Sequence, residues 1–208
     1  MDIDNKVRID NIPVLYQYPE LPTGCEATAL AMLLNWAGVK VSRFEIADAL
    51  PKGPKVQEVN GMWCGAHPNK HFVGDPYSDD GSFGVFEKPI LFVVEKYLPG
   101  KSIDLTGVHF DLILQQIARN IPVMAWTTLK QQTTYHSKTW RDEEENEIKW
   151  YTYEHAVLLV GYTNEHVIAH DPDTGKVENY EKERFILNWK SMGCRAITLK
   201  KPSHPDIK

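Results

Sequence analysis

The sequence predicts an α+β protein in which N-terminal helices pack on a mostly antiparallel sheet. Two observations carry this. Apolar residues recur at helical spacing through much of the first half of the chain, to near Asn120. After that the period changes to short apolar and β-rich runs separated by turn residues. Helices first, then neighbouring strands joined by hairpin-type turns, is an α+β order.

The elements follow in sequence. Residues 6–18 read as extended: Ile12-Pro13-Val14-Leu15-Tyr16-Gln17-Tyr18 is rich in β-formers, and its proline suits an edge or entry strand. The loop Pro19-Glu20-Leu21-Pro22 leads into the first helix. Thr23 followed three residues later by Glu26 reads as a capping box. Ala27, Leu30, Ala31 and Leu34 then mark one buried helix face, and Gly38 is a natural C′ residue. Ser42-Arg43-Phe44-Glu45 is a second capping box, opening a short helix to about Leu50 before Pro51. Residues 51–88 read as an irregular excursion with turn signals at Asp75-Pro76 and Asp79-Asp80-Gly81. Its aromatics, Trp63, Phe72, Tyr77, Phe83 and Phe86, either pin the loop to the core or line a cleft.

Pro89 suits the first residue of a helix carrying Ile90, Val93, Val94 and Tyr97, with a stop at Pro99-Gly100. The next helix carries Phe110, Ile113, Leu114 and Ile117. Ile121-Pro122-Val123-Met124-Ala125-Trp126 reads as a buried strand. Residues 129–150 are a polar insertion, and their charge run Arg141-Asp142-Glu143-Glu144-Glu145 reads as a solvated hairpin or loop. His155-Ala156-Val157-Leu158-Leu159-Val160-Gly161 is a second buried strand. Val167-Ile168-Ala169-His170 is a third, closed by the turn Asp171-Pro172-Asp173-Thr174-Gly175. A short helix from Glu181 to Trp189 and a strand over Arg195-Ala196-Ile197-Thr198-Leu199 complete the chain.

The 208 residues, without a fixed repeat, suit one domain over 1–208. A net charge of −5 leaves no footprint for nucleic acid or an anionic membrane surface. No apolar run approaches the roughly 18 residues of a membrane span. Met1-Asp2-Ile3-Asp4-Asn5 is not a signal peptide, which fits either a cytoplasmic protein or one whose signal has been removed. Three cysteines, Cys25, Cys64 and Cys194, are too few for a disulfide framework, although Cys64 with Cys194 is one conceivable pair.

The chemistry centres on Cys25. In the first turn of a helix, unpaired N–H groups and the dipole favour an anion, so the thiol is a candidate nucleophile. Taken alone, it also reads as a small buried residue. A nucleophilic cysteine needs a histidine base, and the base needs an orienting group. His155 starts one strand and Asp171 ends the next, which antiparallel pairing brings side by side. Asp171 would hold one imidazole nitrogen and leave the other for Cys25. Gln17 offers an amide donor for an oxyanion, with the Cys25 N–H as the second donor. Asp171 also reads as a plain turn residue, His155 as a satisfied strand-end histidine and Gln17 as a surface residue. His170 points to the opposite face and reads as structural. Cys64, His67 and His71 form C-x2-H-x3-H, but a structural zinc site needs four ligands and no second pair stands at standard spacing. No metal and no cofactor is therefore expected; a zinc-stabilised adaptor is the remaining reading of that motif.

Four blocks carry a family resemblance: Pro22-Thr23-Gly24-Cys25-Glu26-Ala27, Ile121-Pro122-Val123, His155 to Tyr162, and His170-Asp171-Pro172-Asp173-Thr174-Gly175. In this order, over Ile12 to Leu199, the chain resembles the C39-like peptidases, papain-like cysteine peptidases of bacteria. Phe72-Val73-Gly74-Asp75-Pro76 and Gly84-Val85-Phe86 resemble stand-alone members. The resemblance implies a papain-like fold, Cys25 as nucleophile, His155 as base, Asp171 as orienting residue, and Gln17 similar in role to the family's oxyanion glutamine. Gln17 lies eight residues before Cys25, farther than in papain-like enzymes generally. The Asp-Cys-Gly form of exporter-linked members is absent, as is a phosphate-binding G-x-x-x-x-G-K-[ST] loop, so the exporter role does not carry over. What the resemblance implies is a free-standing thiol hydrolase acting on a peptide or protein, or an acyl transferase using the same residues. It also implies an extracytoplasmic location, with the signal outside this chain. An inactive papain-like domain that binds peptides or cell-wall components is the alternative.

Overall fold

The computed structural model describes residues 6–201. In chain order the elements are β1 (Lys6–Arg8), α1 (Cys25–Trp36), α2 (Arg43–Ala49), β2 (Lys52–Gly53), β3 (Gln57–Val59), β4 (Met62–Cys64), β5 (Phe72–Val73), α3 (Glu87–Tyr97) and β6 (Ser102–Asp104). There follow α4 (Phe110–Ala118), β7 (Val123–Thr128), a 3-10 turn (Leu129–Gln131), β8 (His136–Arg141), β9 (Glu147–Tyr151), β10 (Glu154–Thr163), β11 (His166–Asp171), β12 (Lys176–Glu181), α5 (Lys182–Ser191) and β13 (Ala196–Leu199). The α+β expectation holds.

The main sheet runs β12-β11-β10-β7-β13-β6, and every pairing in it is antiparallel. β10 is its spine. One edge of β10 pairs with β11, and the other is shared by β7 and, farther along, β1. Its residues Ala156 to Val160 are fully buried, as an apolar run without alternation requires of a central strand.

Helix α1 packs on β10 and β7 and also touches α2 and α3. From Cys25 to Leu34 every residue is buried. The single buried stripe expected of this helix is therefore too narrow. Ala29, Met32 and Leu33 make its remaining sides apolar, and a helix apolar all round belongs in the core. It ends as expected, with Gly38 in a left-handed conformation (φ 89°) and its N–H on the Asn35 carbonyl. The Ser42–Glu45 box forms in full, Glu45 N to Ser42 Oγ at 3.2 Å and Ser42 N to Glu45 Oε2 at 2.9 Å.

Other expectations change. Ile12 to Tyr18 is not a strand; its backbone is tied by separate tertiary bonds, including Gln17 N to the Pro172 carbonyl at 3.0 Å. α3 starts at Glu87, two residues before Pro89. β6 and β12 are strands that the apolar pattern did not signal. Cys64 and Cys194 are both free thiols.

The excursion and the polar insertion form one unit. β3-β4-β8-β9 make a second sheet, with β4 meeting β8 in parallel at Cys64 and Arg141. Val56, Ala66, Val73, Trp140, Ile148 and Trp150 build its own apolar cluster, with Phe83 and Phe86 packed against it. The charge run sits at the β8–β9 turn, where Asp142 accepts from the N–H groups of Glu144 and Asn146 (2.9 and 2.8 Å). The insertion is thus a hairpin with one buried face. Phe72, Phe83 and Phe86 pin the excursion inward, whereas Trp63 and Tyr77 are exposed.

Candidate active site

The site forms where the N-terminus of α1 abuts the start of β10. Cys25 is the first residue of α1, so its N–H has no intrahelical acceptor. The Ala156 N–H, next in chain to His155, donates to the Cys25 sulfur. His155 Nε2 lies 2.8 Å from Asp171 Oδ1, and both side chains are almost wholly buried. The contact follows from the β10–β11 register, in which Leu158 pairs with His170 and leaves His155 beside the turn after Asp171.

Asp171 is fully subscribed. Oδ1 also accepts the Asp173 N–H at 2.7 Å, and Oδ2 accepts the Tyr180 hydroxyl. Burial alone would raise its pKa, but the bonds from His155, Tyr180 and Asp173 hold it below the ordinary value. Tyr180 comes from β12, and its ring stacks on the buried Phe185 of α5. Tyr180 and Glu154 are the site residues that sequence reading missed. The chain before α1 is stitched onto the same turn: besides the Gln17 N–H bond to Pro172, Tyr18 donates its hydroxyl to Asp173 Oδ1 at 3.2 Å. His170 lies on the other face and bonds the Pro13 carbonyl, consistent with its structural reading.

Gln17 is buried. Its Nε2 donates to the carbonyls of Leu21 (3.2 Å) and Pro22 (3.1 Å), so both amide hydrogens hold the loop that enters α1. Its Oε1 is buried without a hydrogen-bond partner.

The capping box expected at Thr23 and Glu26 does not form. Gly24 is the N-cap and makes no side-chain cap, while the Thr23 hydroxyl faces the Asp75 and Ser78 carbonyls (3.2 and 3.0 Å). Glu26 turns inward. Its Oε1 accepts the Val85 N–H at 2.7 Å and its Oε2 accepts the Cys25 thiol at 3.2 Å. The carboxylate of Glu154 closes the group, and the ligand atoms of Cys25, Glu26 and Glu154 lie within 4.8 Å of one another. Among the described residues no other His, Cys, Asp and Glu trio converges in this way. Cys64, His67 and His71 line a common cavity of about 350 Å³ without forming such a trio.

Burial, then the charges of Glu26 and Glu154, push the Cys25 thiol well above its ordinary pKa, and the Ala156 bond opposes them only in part. Burial raises Glu26 to about 7. Burial and then Glu26 raise Glu154 well above the carboxylate range. Burial and the two carboxyls thus favour the neutral thiol, against the thiolate that helix position alone would favour. Glu154 also lines a cavity of about 220 Å³ walled by Phe86, Trp150, Met192 and Arg195.

Gly84 makes room for both carboxylates. A Cβ there would stand 2.5 Å from Glu26 Oε1 and 2.9 Å from Glu154 Oε2, at a φ of +139°. Glu26 cannot retreat, being pinned by Val85 and Cys25. Gly84→Ala is expected to destabilise the fold by about 2–4 kcal/mol in urea unfolding, from overpacking and backbone strain together. A loss under about 1 kcal/mol would show that the carboxylates yield freely.

Tyr180→Phe keeps the ring stack and removes one donor from Asp171. A carboxylate whose pKa is depressed by folding adds stability above its unfolded value of 3.8 and loses it as pH falls through the folded value. The variant is thus expected to be about 1–3 kcal/mol less stable at pH 7, with the gap narrowing below pH 4. A pH-independent gap in urea titrations would mean that the Tyr180 hydroxyl does not act through the charge of Asp171.

The model of the Peptidase_C39 like family matches residues 9–197. The chain is 32% identical over 183 residues to the uncharacterized protein YvpB of Bacillus subtilis strain 168, covering 88% of this chain and 71% of YvpB. It superposes with a TM-score of 0.87 and 32% identity on the crystal structure of a "putative C39-like peptidase from Bacillus anthracis", over 96% of this chain and all of that one. With the family match spanning nearly the whole described fold, this chain belongs to the Peptidase C39-like family.

Proposed function

We propose that the chain is a cysteine peptidase, with Cys25 as nucleophile, His155 as base and Asp171 as orienting residue. The observation that carries this reading is the buried His155–Asp171 pair at 2.8 Å, next in chain to the Ala156 N–H that donates to the sulfur of Cys25 at the start of α1. Asp171 occupies Nε2, which leaves Nδ1 to exchange protons with the reacting groups. The sulfur attacks the peptide carbonyl and forms an acyl-enzyme, and the amine departs. Water, deprotonated by His155, then releases the acyl group. The free Cys25 N–H supplies one oxyanion donor. Gln17 supplies the second once its amide is released from the Leu21 and Pro22 carbonyls; otherwise it acts by holding the entry loop. The cavity at Glu154 is the proposed seat of a substrate side chain.

The test is release of new amino termini from a mixed peptide substrate, together with mapping of the iodoacetamide-labelled thiol. Hydrolysis lost on alkylation of Cys25 supports the reading. The neutral, buried thiol favours the alternative of an inactive papain-like domain that binds peptides. That alternative is preferred if Cys25 labels no faster than a free thiol and peptides bind without turnover.

A further inference from the structure

The site holds a group that the three proposed catalytic residues leave unused. Glu26 is completely buried, its Oε2 is 3.2 Å from the Cys25 sulfur, and its Oε1 is fixed by the Val85 N–H. A thiol that already donates to a carboxylate has its proton acceptor in place. We propose that Glu26 is a further catalytic residue, the base that takes the proton from the Cys25 thiol. This inference rests on the cysteine-peptidase reading and divides its proton transfers: Glu26 serves acylation and His155 serves hydrolysis.

The steps balance. The S–H proton moves to Glu26 Oε2 as the sulfur forms a bond to the substrate carbonyl carbon, whose π electrons move to oxygen. The oxyanion collapses, the C–N bond breaks, and the departing nitrogen takes the proton from Glu26, which returns to carboxylate. Water then gives a proton to His155 as its oxygen attacks the thioester. The C–S bond breaks, and the sulfur recovers a proton from His155.

The surroundings suit such a base. Facing Glu26 are Cys25 from its own helix, Glu154 and His155 from β10, and the Val85 N–H from the segment before α3; Arg195 acts on Glu154 from the segment before β13. Two carboxyls this close do not both ionise easily, and burial and then Glu26 push Glu154 well upward. Burial raises Glu26 to about 7, the range where a general base is most effective.

The experiment is the pH dependence of iodoacetamide alkylation at Cys25, with EDTA present, in the wild type, Glu26→Gln and His155→Gln. The wild type should show a rise centred near pH 7, the Glu26 value. Glu26→Gln, whose amide oxygen can still accept from Val85, should slow alkylation at pH 7.5 by at least about 10-fold. Its rate should climb only toward pH 9 and above, the ordinary thiol range. His155→Gln should keep the rise near pH 7 yet lose peptide hydrolysis. If Glu26→Gln alkylates as fast as the wild type or faster, Glu26 merely suppresses the thiol and the proposal is overturned. If the rise vanishes in His155→Gln instead, His155 is the thiol's base; Glu26 then falls while the peptidase reading stands. Should Glu26→Gln fail to fold, the wild type and His155→Gln still decide. A wild-type rise only above pH 9, or loss of the rise in His155→Gln, overturns the proposal.

Discussion

Cys25→Ala is expected to lower kcat/KM for the proposed peptide hydrolysis by at least about 10³-fold and to leave the fold in place. The size of the effect follows from covalent chemistry: without the sulfur there is no acyl-enzyme, and the remaining N–H donors stabilise an oxyanion that nothing creates. The small structural effect follows from position. Cys25 starts a helix whose next residues are fully buried, and alanine suits a helix start held by packing. The losses are the thiol–carboxylate bond and the Ala156 N–H bond to sulfur, and Glu26 keeps its bond from Val85. Thermal unfolding of the variant should therefore stay close to wild type while hydrolysis disappears. Retained hydrolysis would remove Cys25 from the mechanism.

Asp171→Asn is expected to lower kcat/KM of the proposed peptidase by about 10²–10⁴-fold, and Asp171→Ala to unfold the site as well. The two differ because Asp171 accepts three bonds in a buried place, from His155, Asp173 and Tyr180. Asparagine keeps an oxygen for His155 and Asp173, and its amide can donate to the Tyr180 hydroxyl, which rotates to accept. Packing survives, but the negative charge that steadies the imidazolium during turnover is gone. Alanine leaves those donors without acceptors, at a cost of about 3–5 kcal/mol. Kinetics paired with urea unfolding separate the cases. A slow but stable Asp171→Asn is expected, and equal activity in Asp171→Asn and wild type would reduce Asp171 to a turn residue.

The dyad was legible because it depends on local order: a strand, a tight turn and a strand put His155 and Asp171 together whatever the rest does. The Ser42–Glu45 box was legible for the same reason. Thr23 and Glu26 carry the same signature, yet the Val85 N–H, 59 residues away, and the neighbouring thiol take the Glu26 carboxylate instead. Nothing local distinguishes the two boxes. Tyr180 was missed because Lys176-Val177-Glu178-Asn179-Tyr180-Glu181 is too polar to read as a strand; β12 lies at the end of the sheet order and pairs only with β11. The joining of 51–88 with 129–150 depends on a parallel pairing and an apolar cluster between distant segments, and the tryptophans Trp140 and Trp150 announce a buried face only once both strands are placed. The stretch Ile12 to Tyr18 has β-forming residues, but its backbone is spent on fixing the entry to α1 against the turn that carries Asp171.

The central claim is that Cys25 carries the acyl group and His155 releases it. Intact-mass analysis of the protein quenched during reaction with an activated peptide ester tests this directly. The account predicts one acyl adduct, mapped to Cys25, that turns over in the wild type and persists in His155→Gln. An adduct on Cys64 or Cys194, or none on any thiol while ester is consumed, would contradict it.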